Sequence, residues 1–220
     1  MKRNSKPPKP AKPAKPRGRP RSFDREQALE RAMEVFWRKG FEAASLADLT
    51  EAMGINPPSL YAAFGDKERL FLEALERYQA KRGDSCPYAE EPTAEGATRR
   101  LLTYMAEDLT SPSHPRGCMM VMATATSTSS TPQMQAALAK RRADSRTAIR
   151  QRIERGVKEG ELASGTDAAG LADFYLAIIA GMALQARDGA SRKSLMATVE
   201  SAMRAWPASA KRATKEKAAA

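Results

Sequence analysis

Cysteine is almost missing: Cys86 and Cys118 are the only two in 220 residues, and they form no Cys-x-x-Cys pair. That excludes a disulfide scaffold and the usual zinc-ribbon spacings. A single histidine, His114, excludes histidine-rich metal sites and multi-histidine catalysis. No apolar run reaches the roughly 20 residues that span a bilayer. The longest, Leu176 to Leu184, is far shorter, so no membrane partner is expected. The N-terminus is charged with no apolar stretch behind it, so it does not read as a signal peptide, and the expected location is cytoplasmic. Period-two alternation is nearly absent, which argues against a sheet. There is no phosphate loop, nucleotide fingerprint or repeat of solenoid length. No catalytic residue, metal or cofactor is expected.

Acidic residues are missing from one stretch in particular. Residues 1–22 hold nine Lys/Arg, no Asp or Glu, and six of the fourteen prolines. The rest of the chain carries 28 basic against 26 acidic residues, so the net charge of +11 belongs mainly to this arm. A Lys/Pro/Ala stretch cannot bury a core, and its prolines forbid a helix; it reads as a disordered arm suited to a polyanion. Residues 207–220 read as a shorter disordered tail with Lys211, Arg212, Lys215 and Lys217.

Between the tails the pattern is helical, and 42% hydrophobic residues suffice for one sizeable core or two small ones. Asp24 with Gln27 three residues on predicts a capping box at the start of a first helix with apolar positions Leu29, Ala32, Met33 and Phe36. Gly40 stops it. Ser45 with Asp48 opens a short second helix that Gly54 ends. Asn56 caps a third, with Pro57 at its first position, where a missing N–H costs nothing. Asp66 caps a fourth, with the stripe Leu70, Phe71, Ala74, Leu75 and Tyr78. Residues 83–92 read as a linker. Further helices are expected at 93–110, 116–127, 133–158, 167–187 and 192–206, which makes an all-α chain of about nine helices.

Two short helices joined at Gly54–Asn56 are the helix-turn-helix plan: one helix enters the major groove while the other braces it across the backbone. Here the sequence resembles the DNA-binding head of the TetR family. The likeness rests on Ala32 with Phe36, Gly40-Phe41, Ser45-Leu46, Gly54-Ile55, Ser59-Leu60-Tyr61, Phe64, and Lys67-Glu68 followed by Leu70. It implies a DNA-binding domain over 23–72 and a ligand-binding and dimerisation domain over 73–206. It implies that Ser45, Tyr61 and Lys67 meet phosphates, and that Pro57, Pro58 and Ser59 approach bases. Ala62 and Ala63 depart from the family's aromatic pattern; the methyl of Ala62 suits a thymine methyl but donates nothing to phosphate. The head holds six basic and nine acidic residues, so the arm is expected to supply attraction. Within it, Arg17-Gly18-Arg19-Pro20 resembles an AT-hook core, which lays arginines into a narrow minor groove.

The resemblance further implies a homodimer through the last two long helices, a palindromic double-stranded operator, and release by an unknown small-molecule effector. The helix over 167–187 is expected to be buried nearly all round, because apolar residues cover several of its faces. Candidate pocket residues are Tyr78, Tyr104, Met105, Met119, Met122, Phe174, Tyr175 and Met182, since methionine-rich linings adapt to varied ligands. Two other readings stay open. One is an architectural protein coating DNA with its basic arm. The other is a small enzyme or soft-metal sensor built on Cys118, with Ser111 and His114 or with Cys86, Met119 and Met120.

Overall fold

The computed structural model describes residues 23–83, 90–125 and 131–208. The arm with Arg17 and Arg19, Cys86 and the end of the chain lie outside the described residues. Among the described residues the regular elements are nine helices. The head contains α1 (Arg25–Ala43), α2 (Leu46–Met53) and α3 (Pro57–Phe64). Then follow α4 (Lys67–Gly83), α5 (Ala94–Leu109), α6 (Met119–Ala125), α7 (Pro132–Lys158), α8 (Ala168–Arg187) and α9 (Arg192–Met203).

Local chemistry sets most of these limits. Asp24 accepts from the Glu26 and Gln27 amides at 2.9 and 3.1 Å. The expected reciprocal half of that box is not made, because the Gln27 side chain accepts from Arg31 instead, one turn along. Gly40, at φ 78 and ψ 174, breaks α1, and three helical residues follow it. The break turns Phe41 back onto Phe36 and Phe71, with ring centroids at 6.2 and 5.2 Å. The sixth helix starts at Met119 rather than 116, since Gly117 sits at φ 85, outside helical space.

One apolar core runs through head and body. Phe36, Leu49, Leu60, Leu70, Phe71, Leu75, Leu102, Leu109 and Tyr175 are all fully buried within it. Residue 72, the expected domain boundary, falls inside α4, whose stripe from Leu70 to Tyr78 serves both halves. A second cluster of Ala94, Ile149, Ile153, Leu162, Ala168 and Ala172 closes the far end of α5, α7 and α8.

The expectation that α8 is buried nearly all round is corrected. Ala172, Tyr175, Met182, Ala183 and Ala186 face inward, but Phe174 and Leu184 are 38% and 45% exposed. The reading that no stretch is apolar enough to cross a membrane is also corrected. Within α8 an 18-residue window reaches a mean hydropathy of 1.5, because alanines extend the apolar character beyond the Leu176–Leu184 run.

Phe36 meets Phe71 edge-to-face at 5.2 Å and has no exposure. Phe36→Ala should lower unfolding free energy by about 3–5 kcal/mol, measured by urea titration. A loss below about 1 kcal/mol would show that the aromatic knot does not hold the head together.

Candidate nucleic-acid interface

The second helix is fixed by a reciprocal backbone cap and the third by a one-way cap. The Ser45 hydroxyl accepts the Asp48 amide at 3.1 Å, and the Asp48 carboxylate accepts the Ser45 amide at 3.0 Å. Lys39 closes on the same carboxylate at 2.7 Å. These contacts, the Lys39 hydrogen bond first, push the Asp48 carboxyl from its ordinary 3.8 down to about 2. Ser45 uses a lone pair in its cap and keeps its hydroxyl proton for donation. At the turn, Gly54 adopts φ 67 and its amide returns to the Glu51 carbonyl at 3.1 Å. Asn56 then caps α3 by accepting the Ser59 amide at 2.9 Å.

Leu60 and Phe64, four residues apart, bury the inner face of α3. Helical geometry turns Pro58 and Ala62 to the opposite side, and with Pro57 and Tyr61 they are exposed. Tyr61 is 47% exposed, one of only three large apolar side chains on the described surface. Ser59 is half-buried on the flank. An outward phenol donates a hydrogen bond from a rigid stem, whereas Ala62 and the prolines offer smooth apolar contact.

Lys67, at the start of α4, lies on the edge of the same surface. Its ammonium donates to the Glu42 carbonyl at 3.3 Å and sits 4.6 Å above the Phe41 ring. Burial lowers its pKa, opposed by the charges of Glu42 and Asp48. That hydrogen bond uses one of its three donors.

Arg25 is a bracing residue that sequence reasoning missed. It donates to the Ala63 carbonyl at 3.3 Å, pairs with Glu73 at 2.6 Å and lies 4.4 Å above the Phe64 ring. It thus holds the C-terminal end of α3 against α1 and α4. These partners are 38 and 48 residues away, so no local spacing signals them. The acidic excess of the head is also partly answered from α4: Arg77 and Lys81 both pair with Glu30. Burial raises the Glu30 pKa, and these two cations more than reverse it.

The eight candidate pocket residues do not share one environment. Tyr78, Met105, Met119, Tyr175 and Met182 are buried, Tyr104 and Met122 are half-buried, and Phe174 faces outward. An open pocket of about 470 Å³ lies instead where α1 meets the α5–α6 loop, lined by Glu34, Arg38 and residues 110–116. At that seam His114 stacks on Trp37, with centroids 4.5 Å apart, and one ring nitrogen meets Asp108 at 3.3 Å. The other meets the Pro115 carbonyl at 3.0 Å. Both ring nitrogens are engaged, which leaves no base for Cys118. The thiol is buried and takes the Tyr78 hydroxyl at 3.3 Å, with Arg82 at 3.5 Å. Burial pushes the Tyr78 phenol well above its ordinary range.

With this geometry in hand, residues 28–74 match the family described as bacterial regulatory proteins, tetR family, and residues 97–203 match the tetracyclin repressor-like C-terminal domain. The HTH-type transcriptional repressor ComR of Escherichia coli K12 is 38% identical over 194 residues, 87% of this chain and 92% of ComR. The chain belongs to the TetR family. A solved cysteine mutant of the TetR family regulator CifR, in complex with 26-base-pair operator DNA, is 46% identical with a TM-score of 0.80. It covers 86% of this chain and all of that one. The repressor BdcR of the same E. coli strain is 56% identical over 61 residues, 28% of this chain and 31% of BdcR.

Because its folded-state pKa is depressed, Asp48 adds stability above the ordinary carboxylate range and loses it as pH falls from about 4 toward about 2. Lys39→Met should move the Asp48 midpoint back toward 3.8 in a carboxyl NMR titration. An unchanged midpoint would assign the shift to the backbone cap alone.

Proposed function

We propose that this chain is a transcriptional repressor that binds a palindromic operator as a homodimer and is released by a small-molecule effector. The observation that carries this reading is the exposed face of α3, with Pro57, Pro58, Tyr61 and Ala62 held outward on a clamped helix. Repression is the role named for ComR and BdcR, and operator DNA is named in the CifR complex. In the proposed complex Pro57, Pro58, Ser59 and Ala62 approach base edges, and Ser45, Tyr61 and Lys67 meet phosphates. Phosphate contacts set the register and base contacts set the sequence. Arg17 and Arg19 enter the adjacent minor groove, and the nine arm cations supply attraction that a head with six basic and nine acidic residues does not. The protein acts in the cytoplasm as a regulator rather than an enzyme.

The second copy sits on α8. Phe174, Ala177, Ile178, Gly181 and Leu184 recur at helical spacing, are exposed or half-exposed, and present an apolar stripe on the described surface. An isologous contact through α8 and α9 covers that stripe and sets two recognition helices about one DNA turn apart, roughly 34 Å. The effector enters the body between its middle helices, where Tyr78, Tyr104, Met105, Met119, Met122, Tyr175 and Met182 supply the apolar lining; Phe174 belongs to the dimer face instead.

Selection from random duplex DNA at near-physiological salt should enrich a palindrome with the full chain. Tyr61→Phe should keep the same palindrome and bind it several-fold more weakly, as the loss of one phosphate hydrogen bond of about 1 kcal/mol implies. Deleting residues 1–22 should flatten the dependence of log affinity on log salt while the palindrome survives. No enriched sequence, or binding abolished by the deletion, would replace this reading with an architectural protein that coats DNA through its arm. Leu184→Glu should convert the dimer to a monomer in sedimentation equilibrium; a dimer that persists would move the interface off α8.

A further inference from the structure

Besides α4, a second bridge runs from α8 to the head. Arg187, in the last turn of α8, reaches across to the end of α1. One of its guanidinium nitrogens donates to the Trp37 carbonyl at 3.0 Å, and the other donates to the Arg38 carbonyl. Both acceptors lie in the turn just before the break at Gly40. The two donors are the fork of one planar group, so the contact fixes direction as well as distance.

The α5–α6 loop completes the joint. The Trp37 indole N–H donates to the Gly117 carbonyl at 3.1 Å, across 80 residues and out of solvent. Gly117 sits at φ 85, and a Cβ there would lie 3.1 Å from the Ala183 carbonyl and 3.6 Å from the Arg187 Cβ. The loop is therefore pressed between α1 and α8 with no room for a side chain. Trp37 is further held by stacking on His114 at 4.5 Å and by edge contact with Tyr78 at 4.8 Å. Trp37, Gly117 and Arg187 triangulate the head directly against α8.

We infer that Arg187 is a positioning residue for operator spacing: it locks the angle between each head and the dimer helix, and so sets which half-site separation the dimer accepts. This rests on the proposal that α8 forms the dimer and that the operator is two-fold. One inserted base pair moves a half-site by roughly 3.4 Å along the axis and about 35° around it. A rigid joint rejects that displacement, and a loosened one follows it.

The test uses the full chain and duplexes bearing the selected half-sites at the native separation, or with one base pair inserted or removed. Wild type should prefer native spacing strongly. Arg187→Met keeps the aliphatic stem and removes the fork. It should reduce the preference for native over altered spacing by roughly tenfold, the worth of about one strong hydrogen bond to a charged donor. Preference within each half-site should not change, which a merely destabilised protein would not show. Arg187→Lys keeps the charge but not the fork, serves if the first variant folds poorly, and should fall in between. Folded variants that retain the wild-type spacing preference would overturn the inference. Failure of wild type to select any two-fold site would instead overturn the operator-binding reading beneath it.

Discussion

Everything in the chain depends on the burial of one side of α4. Leu70, Phe71, Ala74, Leu75 and Tyr78 have at most 4% exposure. Leu70 and Phe71 belong to the head, where Phe71 meets Phe36 and Phe41. Tyr78, two turns on, meets Trp37 and the Cys118 thiol at the seam with the body. A buried aromatic or leucine side chain contributes about 1.5–3 kcal/mol, so the head cannot be tilted away from α4 without losing several such contributions. Head and body are thus two functions built on a single core, and any change of angle between them must pass through a helix that both share.

Charge is organised on the same helix. Arg77 and Lys81 reach back to Glu30, while Glu73 receives Arg25 from the start of α1. These exposed or half-exposed pairs are worth little individually. Their effect is on arrangement: acids of the head that would repel a phosphate backbone are turned toward α4, and Arg25 is spent on the Ala63 carbonyl and Phe64 ring rather than left in solution. Few head cations remain free, so the proposed operator contact draws on the nine positive charges of residues 1–22.

Most of the fold was legible because its signals are local. Ser45 with Asp48, the glycine at 54, and Asn56 before Pro57 each determine a helix end through contacts within four residues. The outward face of α3 followed from the spacing of Leu60 and Phe64. What escaped the sequence depends on partners dozens of residues away: Arg25 on α3 and α4, Asp108 beside His114, and Arg187 on the end of α1. Phe174 and Tyr175 illustrate the limit. They are neighbours of similar size and both read as pocket lining, yet one is exposed and the other fully buried. On a helix with apolar residues on several faces, period alone does not say which face meets its own chain and which is left for another.

The two links between head and body differ in physical character, and that difference bears on regulation. The α4 link is covalent and apolar; it tolerates small rotations because packed side chains lack directional demands. The Trp37–Gly117–Arg187 link is polar and directional, and its hydrogen bonds weaken steeply when their angles change. An effector can shift the protein only as far as it prefers one arrangement over the other. A ligand that swings α4 must therefore either carry α8 along, keeping the polar joint, or break the joint and expose the carbonyls of Trp37 and Arg38. The second route costs on the order of 1–3 kcal/mol where a buried group such as the Trp37 indole N–H is left unpaired, and less at the exposed Arg38 carbonyl. A seam beside an open polar pocket, where water can replace those bonds, is where that cost is smallest.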